Sequence, residues 1–266
     1  MTTTVLVTGA SRGIGAAIAR WLGGQGCDVA LVARSPAALA STASAVEAVG
    51  GRTCIVAADL SQEGAAAEAV EVARRAFGPL DAVVSNAGMI EPIDRLDAAD
   101  MGAWAASMTV NLLAPTALAH AALPDLVERG GRFVTLSSTA ANLPIEGLSA
   151  YCVAKAGLHM LVQVLALEAP QVTSLSVQPG PVDTGMHDAL RADARSALAP
   201  ERAQLYHDLR SQNRLRPPDV PGRSVAWLTL AAPLDWSGQE IQHDDSRVLA
   251  GAEALLGPLP PAEEQT

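Results

Sequence analysis

The sequence predicts an α/β protein built on a doubly wound parallel sheet. Short, almost continuously apolar segments alternate with Ala-rich helical segments along most of the 266 residues. A glycine-rich turn joins the first apolar segment to the first helical one. Strands buried on both faces lose the polar alternation of half-exposed strands, and regular βαβ alternation gives parallel sheets with right-handed crossovers. We therefore expect one doubly wound domain, in three α/β/α layers.

Each predicted strand is a short run in which apolar and small residues predominate. These strands are Thr4–Thr8, Val29–Ala33, Thr53–Ala57, Ala82–Ser85, Arg132–Ser137 and Ser174–Gln178. The helical stretches between them are Gly15–Leu22, Ala37–Val49, Gly64–Phe77, a long one across Trp104–Glu128, and Ala150–Glu168.

The regular alternation stops after the sixth strand. Residues 186–216 are polar and carry both charges, and we predict two short amphipathic helices inserted over the sheet edge as a substrate loop. A helix (Val220–Leu230) and a strand (Glu240–Gln242) complete a domain of residues 1–250. The tail, residues 251–266, is rich in Pro and Glu near its end and is predicted to be disordered.

Composition narrows the classes of function. The net charge is −10 and no run of basic residues occurs, which argues against nucleic acid and anionic membrane surfaces as partners. Three separated cysteines favour free thiols in a reducing compartment over disulfides, and no signal peptide is visible, so we expect a cytoplasmic protein. The apolar run 156–167 is too short to span a bilayer. The five histidines have no ligand spacing, so no metal site is expected.

The glycine-rich turn, residues 8–15, lies between the first strand and the first helix. Its sequence is TGASRGIG, with Gly9, Gly13 and Gly15 in a GxxxGxG spacing and Ser11, Arg12 and Ile14 between them. Glycines allow a tight turn and a close backbone approach, and a helix N-terminus offers free N–H groups to a pyrophosphate. We interpret the loop as a nucleotide-binding site; the alternative is a purely structural turn.

The residues after the second strand bear on the choice of cofactor. An acidic side chain at this place bonds the ribose 2′-hydroxyl of NAD, whereas Arg accepts the 2′-phosphate of NADP. Arg34 and Ser35 stand there without an acid, and Arg12 could reach the same phosphate. The pattern favours NADP(H), although two ordinary surface arginines would look the same.

Lys155 is the only lysine among 18 basic residues. It follows Tyr151 by four positions, so both side chains share one face of a helix. A nearby ammonium is expected to lower the pKa of a phenol from about 10, which would make Tyr151 a usable acid or base. The alternative is a core tyrosine beside a lysine retained by chance.

These motifs belong to an ordered set that resembles the classical short-chain dehydrogenase/reductase family. The matching pieces are TGASRGIG at Thr8–Gly15, Asp59-Leu60, SNAG at Ser85–Gly88, Asn111, LSSTA at Leu136–Ala140, Tyr151 to Lys155, and PGPVDT at Pro179–Thr184. The set spans about residues 4–242. The resemblance implies a single Rossmann-type domain, NAD(P) binding and hydride transfer to or from a carbonyl or alcohol.

The resemblance also implies roles for single residues. Tyr151 would be the catalytic acid/base, Lys155 would bind the nicotinamide ribose and lower the phenol pKa, Ser138 would bond the substrate oxygen, and Asn111 would support a relay water. Ser137 is the rival serine, but its spacing from Tyr151 fits less well. The implied cofactor contacts beyond the glycine loop, Arg34, Ser35, Tyr151 and Lys155 are Asp59, Leu60, Asn86, Ala87, Gly88, Pro179, Gly180, Val182 and Thr184.

A weaker resemblance concerns the substrate. PGPVDTGM and the segment around Asp245 are similar to sepiapterin reductases and to benzil-reducing carbonyl reductases. Asp245 would then anchor a pterin-like substrate, with Met186 as a second substrate contact; a solvated acidic turn is the alternative for Asp245. We expect Asp245→Asn to raise the KM for such a substrate.

These patterns lead to a favoured function with its alternatives, and to an expected assembly. The favoured function is NADPH-dependent reduction of a ketone or diketone, and the alternatives are a non-catalytic NADP(H) sensor, an NAD-dependent alcohol dehydrogenase or a 3-oxoacyl reductase. Arg34 argues against NAD. The helix Ala150–Glu168 is apolar almost all round and needs cover beyond the sheet, so a homodimer or homotetramer is expected.

Overall fold

A single seven-stranded parallel sheet organises the chain. The computed structural model describes residues 2–259, except the side chains of residues 193–197. The strands lie in the order β3-β2-β1-β4-β5-β6-β7, and every neighbouring pair is parallel. They are β1 Thr4–Thr8, β2 Asp28–Ala33, β3 Arg52–Ala57, β4 Ala82–Ser85, β5 Arg132–Leu136, β6 Thr173–Gln178 and β7 Glu240–Gln242.

Helices cover both faces of this sheet. They are α1 Gly13–Gly23, α2 Pro36–Ala48, α3 Ala65–Phe77, α4 Met101–Met108, α5 Ala114–Arg129, α6 Ser149–Glu168, α7 Gly185–Ala197, α8 Pro200–Ser211, α9 Asp219–Ala231 and α10 Ser246–Leu256. One apolar core joins the sheet to α1, α2, α9 and α10, and a second joins it to α3, α5 and α6. The predicted three-layer, Rossmann-type fold is therefore confirmed.

The order of elements matches the sequence prediction, and the ends differ by a few residues. The predicted long helix across Trp104–Glu128 is interrupted, because a π-helical segment, Thr109–Leu113, separates α4 from α5. A π turn holds one more residue than an α turn, and such bulges frequently mark functional positions. The apolar pattern of the sequence does not reveal a change of one residue in one turn.

The predicted disordered tail is wrong for residues 251–256, which form the second half of α10. Val248, Ala252 and Leu256 of this helix are buried against α9 and the sheet. Their spacing of four residues places them on one face of a helix. Three positions make a weak pattern in the sequence, next to the Pro-rich end of the chain. Residues 260–266 lie outside the described part of the chain.

The predicted insertion consists of the two helices α7 and α8. Leu190 of α7 and the following Leu198 pack with Tyr151 and Ile145 in a third apolar cluster. This cluster lies beyond the carboxyl ends of the strands, so the insertion covers the edge at which doubly wound sheets bind ligands.

Two helical stretches, Met101–Arg129 and Ser149–Glu168, are long and apolar enough to cross a membrane by length and composition alone. The run 156–167 is only part of α6, and the whole helix, with 20 residues, reaches the length that a bilayer span needs. Both stretches contribute buried residues to the core beside the sheet, and core helices of folded domains pass the same test.

Candidate active site

The glycine loop ends in an uncapped helix. Gly9 and Gly13 have φ of +64° and +56°, a region that favours glycine. A Cβ atom at Gly15 would lie 2.3 Å from the carbonyl oxygen of Gly9, so the loop closes on itself only without a side chain there. The N-cap residue of α1, Arg12, makes no side-chain hydrogen bond to the first turn, and that turn holds no acidic residue. The free N–H groups suit a phosphate.

Thr8 and Asn86 fasten the loop to the end of β4. The backbone amides of Asn86 and Ala87 both donate to Thr8 Oγ1 at 3.0 Å, and Asn86 Nδ2 donates to the carbonyl oxygen of Thr8 at 2.9 Å. Asn86 Nδ2 also reaches the carbonyl oxygen of Gly9 at 3.3 Å. These bonds hold the ends of β1 and β4 together where the strand order reverses.

The end of β2 presents an exposed arginine. Arg34 and Ser35 follow Ala33 directly, and Ser35 caps α2 by accepting a hydrogen bond from the amide of Ala38 at 3.3 Å. The pKa of Asp59, after β3, is lowered chiefly by the hydrogen bond from the Ser61 amide and to a smaller degree by the charge of Arg34. Arg34 and Asp59 are therefore neighbours at one end of the predicted cofactor site, while Leu60 packs into the core below.

The segment 179–184 brings the insertion over the glycine loop. The methyl group of Thr184 would lie 3.3 Å from a Cβ at Gly13, and the Arg12 guanidinium lies 3.5 Å from the position of a Cβ at Gly185. The segment is held by pairing of Val182 with Arg216. Arg12 thus lies beside the start of α7, and the glycine loop, this segment and the end of β2 all lie at the carboxyl edge of the sheet, where doubly wound folds bind dinucleotides.

Tyr151 lies in the first turn of α6, beyond the carboxyl end of β5. Its hydroxyl group shares a hydrogen bond with Ser138 and lies 4.0 Å from Met186 Sδ. Ser138 begins a 3₁₀ turn and accepts a hydrogen bond from the Ala140 amide at 3.2 Å. The rival serine, Ser137, instead donates to Glu240 at 2.5 Å, away from Tyr151.

Lys155 lies one turn along α6 from Tyr151. Its ammonium group donates to the carbonyl oxygen of Leu136 at 2.6 Å and lies 5.6 Å from the centre of the Tyr151 ring. Both side chains are more than nine-tenths buried. Three of the four residues implied to be catalytic, Tyr151, Lys155 and Ser138, therefore lie close together.

The structure contradicts the prediction that Lys155 lowers the pKa of Tyr151. Burial raises the pKa of Tyr151 to about 12, and this outweighs the opposing hydrogen bond to Ser138. Burial also lowers the pKa of Lys155 to about 8. Desolvation disfavours both charged forms, and an ammonium that is itself desolvated and bonded to Leu136 cannot reverse the effect at the phenol.

Asn111 occupies the middle of the π-helical segment. Its Nδ2 donates to the carbonyl oxygen of Met89 at 2.8 Å, and its Oδ1 accepts from the Met89 amide at 3.1 Å. A Cβ at Gly88 would lie 2.9 Å from the same Oδ1. Asn111 therefore fixes the loop after β4, and its own contacts in the described residues are with this loop and Ser107 rather than with Tyr151.

Two residues of the insertion that sequence reasoning missed are in contact with each other, and one of them, Tyr206, lies close to Tyr151. The phenol of Tyr206 is near enough to raise the pKa of Tyr151, and its ring meets His187 edge-on at 5.7 Å. His187 is buried, which lowers its pKa, and neither ring nitrogen has a hydrogen-bond partner among the described residues. Tyr206 is the only other tyrosine in the chain, a signal that composition alone offered.

Asp245 caps a helix in the structure, and its role as a substrate anchor stays a prediction. Its Oδ1 accepts hydrogen bonds from the amide and the Nε of Arg247, at 2.9 and 3.0 Å, and its Oδ2 pairs with the same guanidinium at 2.7 Å. These bonds cap α10 and lower the pKa of Asp245 to about 2. Met186, the other predicted substrate contact, has its Sδ 4.0 Å from the Tyr151 hydroxyl group.

Comparison with known proteins agrees with this geometry. The family model described as short chain dehydrogenase matches residues 3–195. An uncharacterized oxidoreductase of Saccharomyces cerevisiae, YIR035C, is 33% identical over 245 residues, which is 91% of this chain and 95% of the relative. The benzil reductase ((S)-benzoin forming) IRC24 of the same yeast is 30% identical over 92% of this chain and 97% of its own length.

Solved structures show the same architecture. The KRED1-Pglu enzyme superposes with a TM-score of 0.85 at 33% identity, over 90% of this chain and all of that one. A blue fluorescent protein from a metagenomic library, solved in complex with NADPH, gives a TM-score of 0.77 at 27% identity, over 90% and 95% of the two chains. The ordered motifs, the arrangement of their residues at the strand ends and these likenesses together place the chain in the short-chain dehydrogenase family, as an oxidoreductase that acts on CH–OH or C=O groups.

Proposed function

We propose that the protein is an NADPH-dependent reductase of ketones and diketones, with Tyr151 as the proton donor. The observation that carries the proposal is the buried phenol of Tyr151, bonded to Ser138 and one helical turn from Lys155, at the same edge of the sheet as the glycine loop. Reduction of a carbonyl needs a proton at the oxygen and a hydride at the carbon, so a donor of this kind is required beside the cofactor.

The pKa directions suit reduction. A phenol whose pKa is raised to about 12 keeps its proton at neutral pH, and a lysine with a pKa near 8 remains charged. Ser138 would orient the carbonyl oxygen while Tyr151 transfers its proton to that oxygen. A bound reduced nicotinamide supplies the hydride to the carbon. The Tyr151 phenolate formed would be stabilised by Lys155 until it takes a proton from solvent.

An apolar cluster packs around Tyr151 and supports an uncharged carbonyl substrate. Its members beyond the strand ends include Ile90, Ile93, Ala140, Ile145, Leu148, Leu190, Leu198, Met186 and Tyr206. Apolar side chains beside the proton donor favour compounds without a charge next to the carbonyl. One similar protein is named a benzil reductase, and benzil is an uncharged aromatic diketone.

NADPH is favoured over NADH by the side chains after β2. Arg34 is exposed there with no acidic residue at positions 33–35, and Arg fits a 2′-phosphate, whereas an acid would bond a ribose hydroxyl. One of the similar structures was solved with NADPH bound.

The test is consumption of NADPH, followed at 340 nm, with benzil, other α-diketones, simple ketones and sepiapterin. NADH and the Tyr151→Phe variant are run in parallel. We expect turnover with NADPH, weak turnover with NADH, and a loss of at least 100-fold in the variant, on the order of what a positioned proton donor contributes. Tight NADPH binding without turnover of any carbonyl would instead favour a non-catalytic sensor of NADP(H).

A further inference from the structure

A second group of polar side chains lies at the carboxyl ends of β5, β6 and β7. It comprises Ser137, Asn142, Gln178, Glu240 and Gln242, and Glu240 is its centre. Ser137 Oγ donates to Glu240 Oε1 at 2.5 Å, Gln178 Nε2 donates to Glu240 Oε2 at 2.7 Å, and Asn142 Nδ2 donates to the same Oε2. Gln242 Nε2 extends the group by donating to Gln178 Oε1 at 2.8 Å.

Two partners of Glu240 flank the catalytic serine of the proposed reaction. Ser137 directly precedes Ser138, and Asn142 follows the 3₁₀ turn, Thr139–Ala141, that Ser138 begins. Pairing of β5 with β6 ends at Leu136, and the Ser137 amide makes one further bond to the carbonyl oxygen of Val177 at 2.8 Å. Beyond that bond the sheet no longer supports the segment, and Glu240 holds both of its ends.

We propose that Glu240 is a positioning residue that sets the place of Ser138 relative to Tyr151. The inference rests on the proposed function, because it assigns Glu240 a part in orienting the carbonyl oxygen. The described contacts of the Glu240 carboxylate are with Ser137, Asn142 and Gln178, and it acts on the reaction only through the segment that carries Ser138.

A carboxylate at this position satisfies all three donors of the group. An ionised carboxylate accepts hydrogen bonds at both oxygens and donates none, and Glu240 receives one hydroxyl donor at Oε1 and two amide donors at Oε2. A glutamine could accept both amide donors at its single oxygen, and its amide nitrogen would then face Ser137 Oγ, which would have to accept a hydrogen bond instead of donating one. Glu240→Gln should therefore be a mild change, whereas Glu240→Ala removes all three bonds.

The decisive experiment compares Glu240→Ala in two backgrounds, the natural chain and Ser138→Ala. We expect Glu240→Ala to lower kcat by about 10- to 100-fold in the natural chain, since small misplacements of catalytic groups have effects of this size. In the Ser138→Ala background it should lower kcat by less than about twofold, because the group that it positions is already gone. The KM for NADPH should not change in either background.

Gln239→Ala is the matched control. Gln239 precedes β7, is exposed, and among the described residues its side chain bonds the carbonyl oxygen of Asp235. This variant should leave kcat unchanged. An equal loss from Glu240→Ala in both backgrounds, or no loss in the natural chain, overturns the proposal. If Glu240→Ala does not fold, Asn142→Ala takes its place in the same comparison, since it removes the bond that holds the far end of the turn.

A measurement without turnover separates this inference from the proposed function. The Ala140 amide donates to Ser138 Oγ, so its hydrogen exchange reports the order of the turn. Exchange at Ala140 should become at least tenfold faster in Glu240→Ala and stay unchanged in Gln239→Ala. Unchanged exchange in Glu240→Ala contradicts the positioning role even if the protein reduces no carbonyl. Full activity of Tyr151→Phe and Ser138→Ala contradicts the proposed function instead.

Discussion

Lys155 and Tyr151 form a pair in which burial, not mutual attraction, decides the charge states. The ammonium of Lys155 is bonded to the carbonyl oxygen of Leu136, and its pKa falls to about 8. The Tyr151 phenol is deeply buried and its pKa rises to about 12. Over the neutral range the pair is therefore a charged lysine and a protonated phenol, the state needed to donate a proton.

The single lysine makes this state directly measurable. In protein labelled with ¹³C-lysine, one side-chain signal is expected, and it needs no assignment because the sequence has one lysine. We expect the signal to titrate near pH 8, since the lowered pKa means that the ammonium loses its proton as the pH rises through that value. Titration near the ordinary value of 10.5 would contradict the buried position of Lys155.

Arg34 tests the choice of cofactor at the scale of one side chain. Arg34→Asp replaces a partner of the 2′-phosphate with a repelling charge and provides an acceptor for a ribose hydroxyl. We expect the Kd for NADPH to rise at least tenfold and the Kd for NADH to fall, measured by fluorescence titration. Arg75→Asp, on an exposed position of α3, is the control and should change neither. Equal affinities in Arg34→Asp and the natural chain would exclude a 2′-phosphate contact.

At the scale of elements, α10 completes the core instead of forming part of a tail. Its buried residues pack on α9, where a Cβ at Gly251 would lie only 2.2 Å from the indole of Trp227. The helix begins at the Asp245 cap, whose bonds to Arg247 are ordinary surface interactions. Stability from this helix therefore comes from apolar burial.

The adjacent leucines of α10 provide a matched pair. Leu256 is 8% exposed and Leu255 is 45% exposed. We expect Leu256→Ala to lower the free energy of unfolding by about 2–4 kcal/mol, through lost burial and the cavity left behind, and Leu255→Ala to lower it by less than about 1 kcal/mol. Urea unfolding followed by circular dichroism measures both. Equally small losses of unfolding free energy in the two variants would instead support a disordered segment at this place.

The π-helical segment shows how one element serves the site. It widens the helical stretch between α4 and α5 by one residue per turn and places Asn111 against the loop after β4. Each residue of a regular α-helix rotates the chain by about 100° around the helix axis. Without the extra residue in this turn, the residues after Asn111 would therefore face in other directions relative to Asn111. The irregular segment therefore orients a polar side chain toward the loop, while α5 packs on the sheet and α4 packs against α6.

At the scale of the whole molecule, the outer face of α6 remains exposed although it is apolar. Val153, Met160 and Leu167 are 50%, 57% and 82% exposed. Contiguous apolar surface of this kind on a stable protein marks an interaction site. We expect a homodimer or homotetramer in which this face is covered.

Light scattering at micromolar concentration measures the assembly. We expect a mass of at least twice the chain mass of 27.3 kDa, and a smaller mass for Leu167→Glu, which places a charge on the apolar face. Leu96→Glu is the control, because Leu96 is 64% exposed and lies outside α6. A mass of about 27 kDa for the natural chain refutes the expectation.

Local patterns made most of the fold predictable. The apolar strands, the glycine turn and the helical spacings each depend on neighbours in the chain, so their order and the three layers followed from the sequence. The spacing of Tyr151 and Lys155 likewise follows from one helix. Elements whose signal is weak or non-local were missed, namely the π turn at Asn111 and the helix α10.

The sequence by itself determined the fold class, the dinucleotide loop and the set of motifs that marks the family. Only the tertiary structure decided the charge states of Tyr151 and Lys155, because desolvation depends on what surrounds a side chain in space. It also decided that Asp245 caps a helix, that Tyr206 approaches Tyr151, and that Glu240 joins both ends of the Ser138 turn across 103 and 98 positions of sequence. Contacts over such separations arise when strands and insertions converge on one edge of a sheet, and no local pattern encodes them.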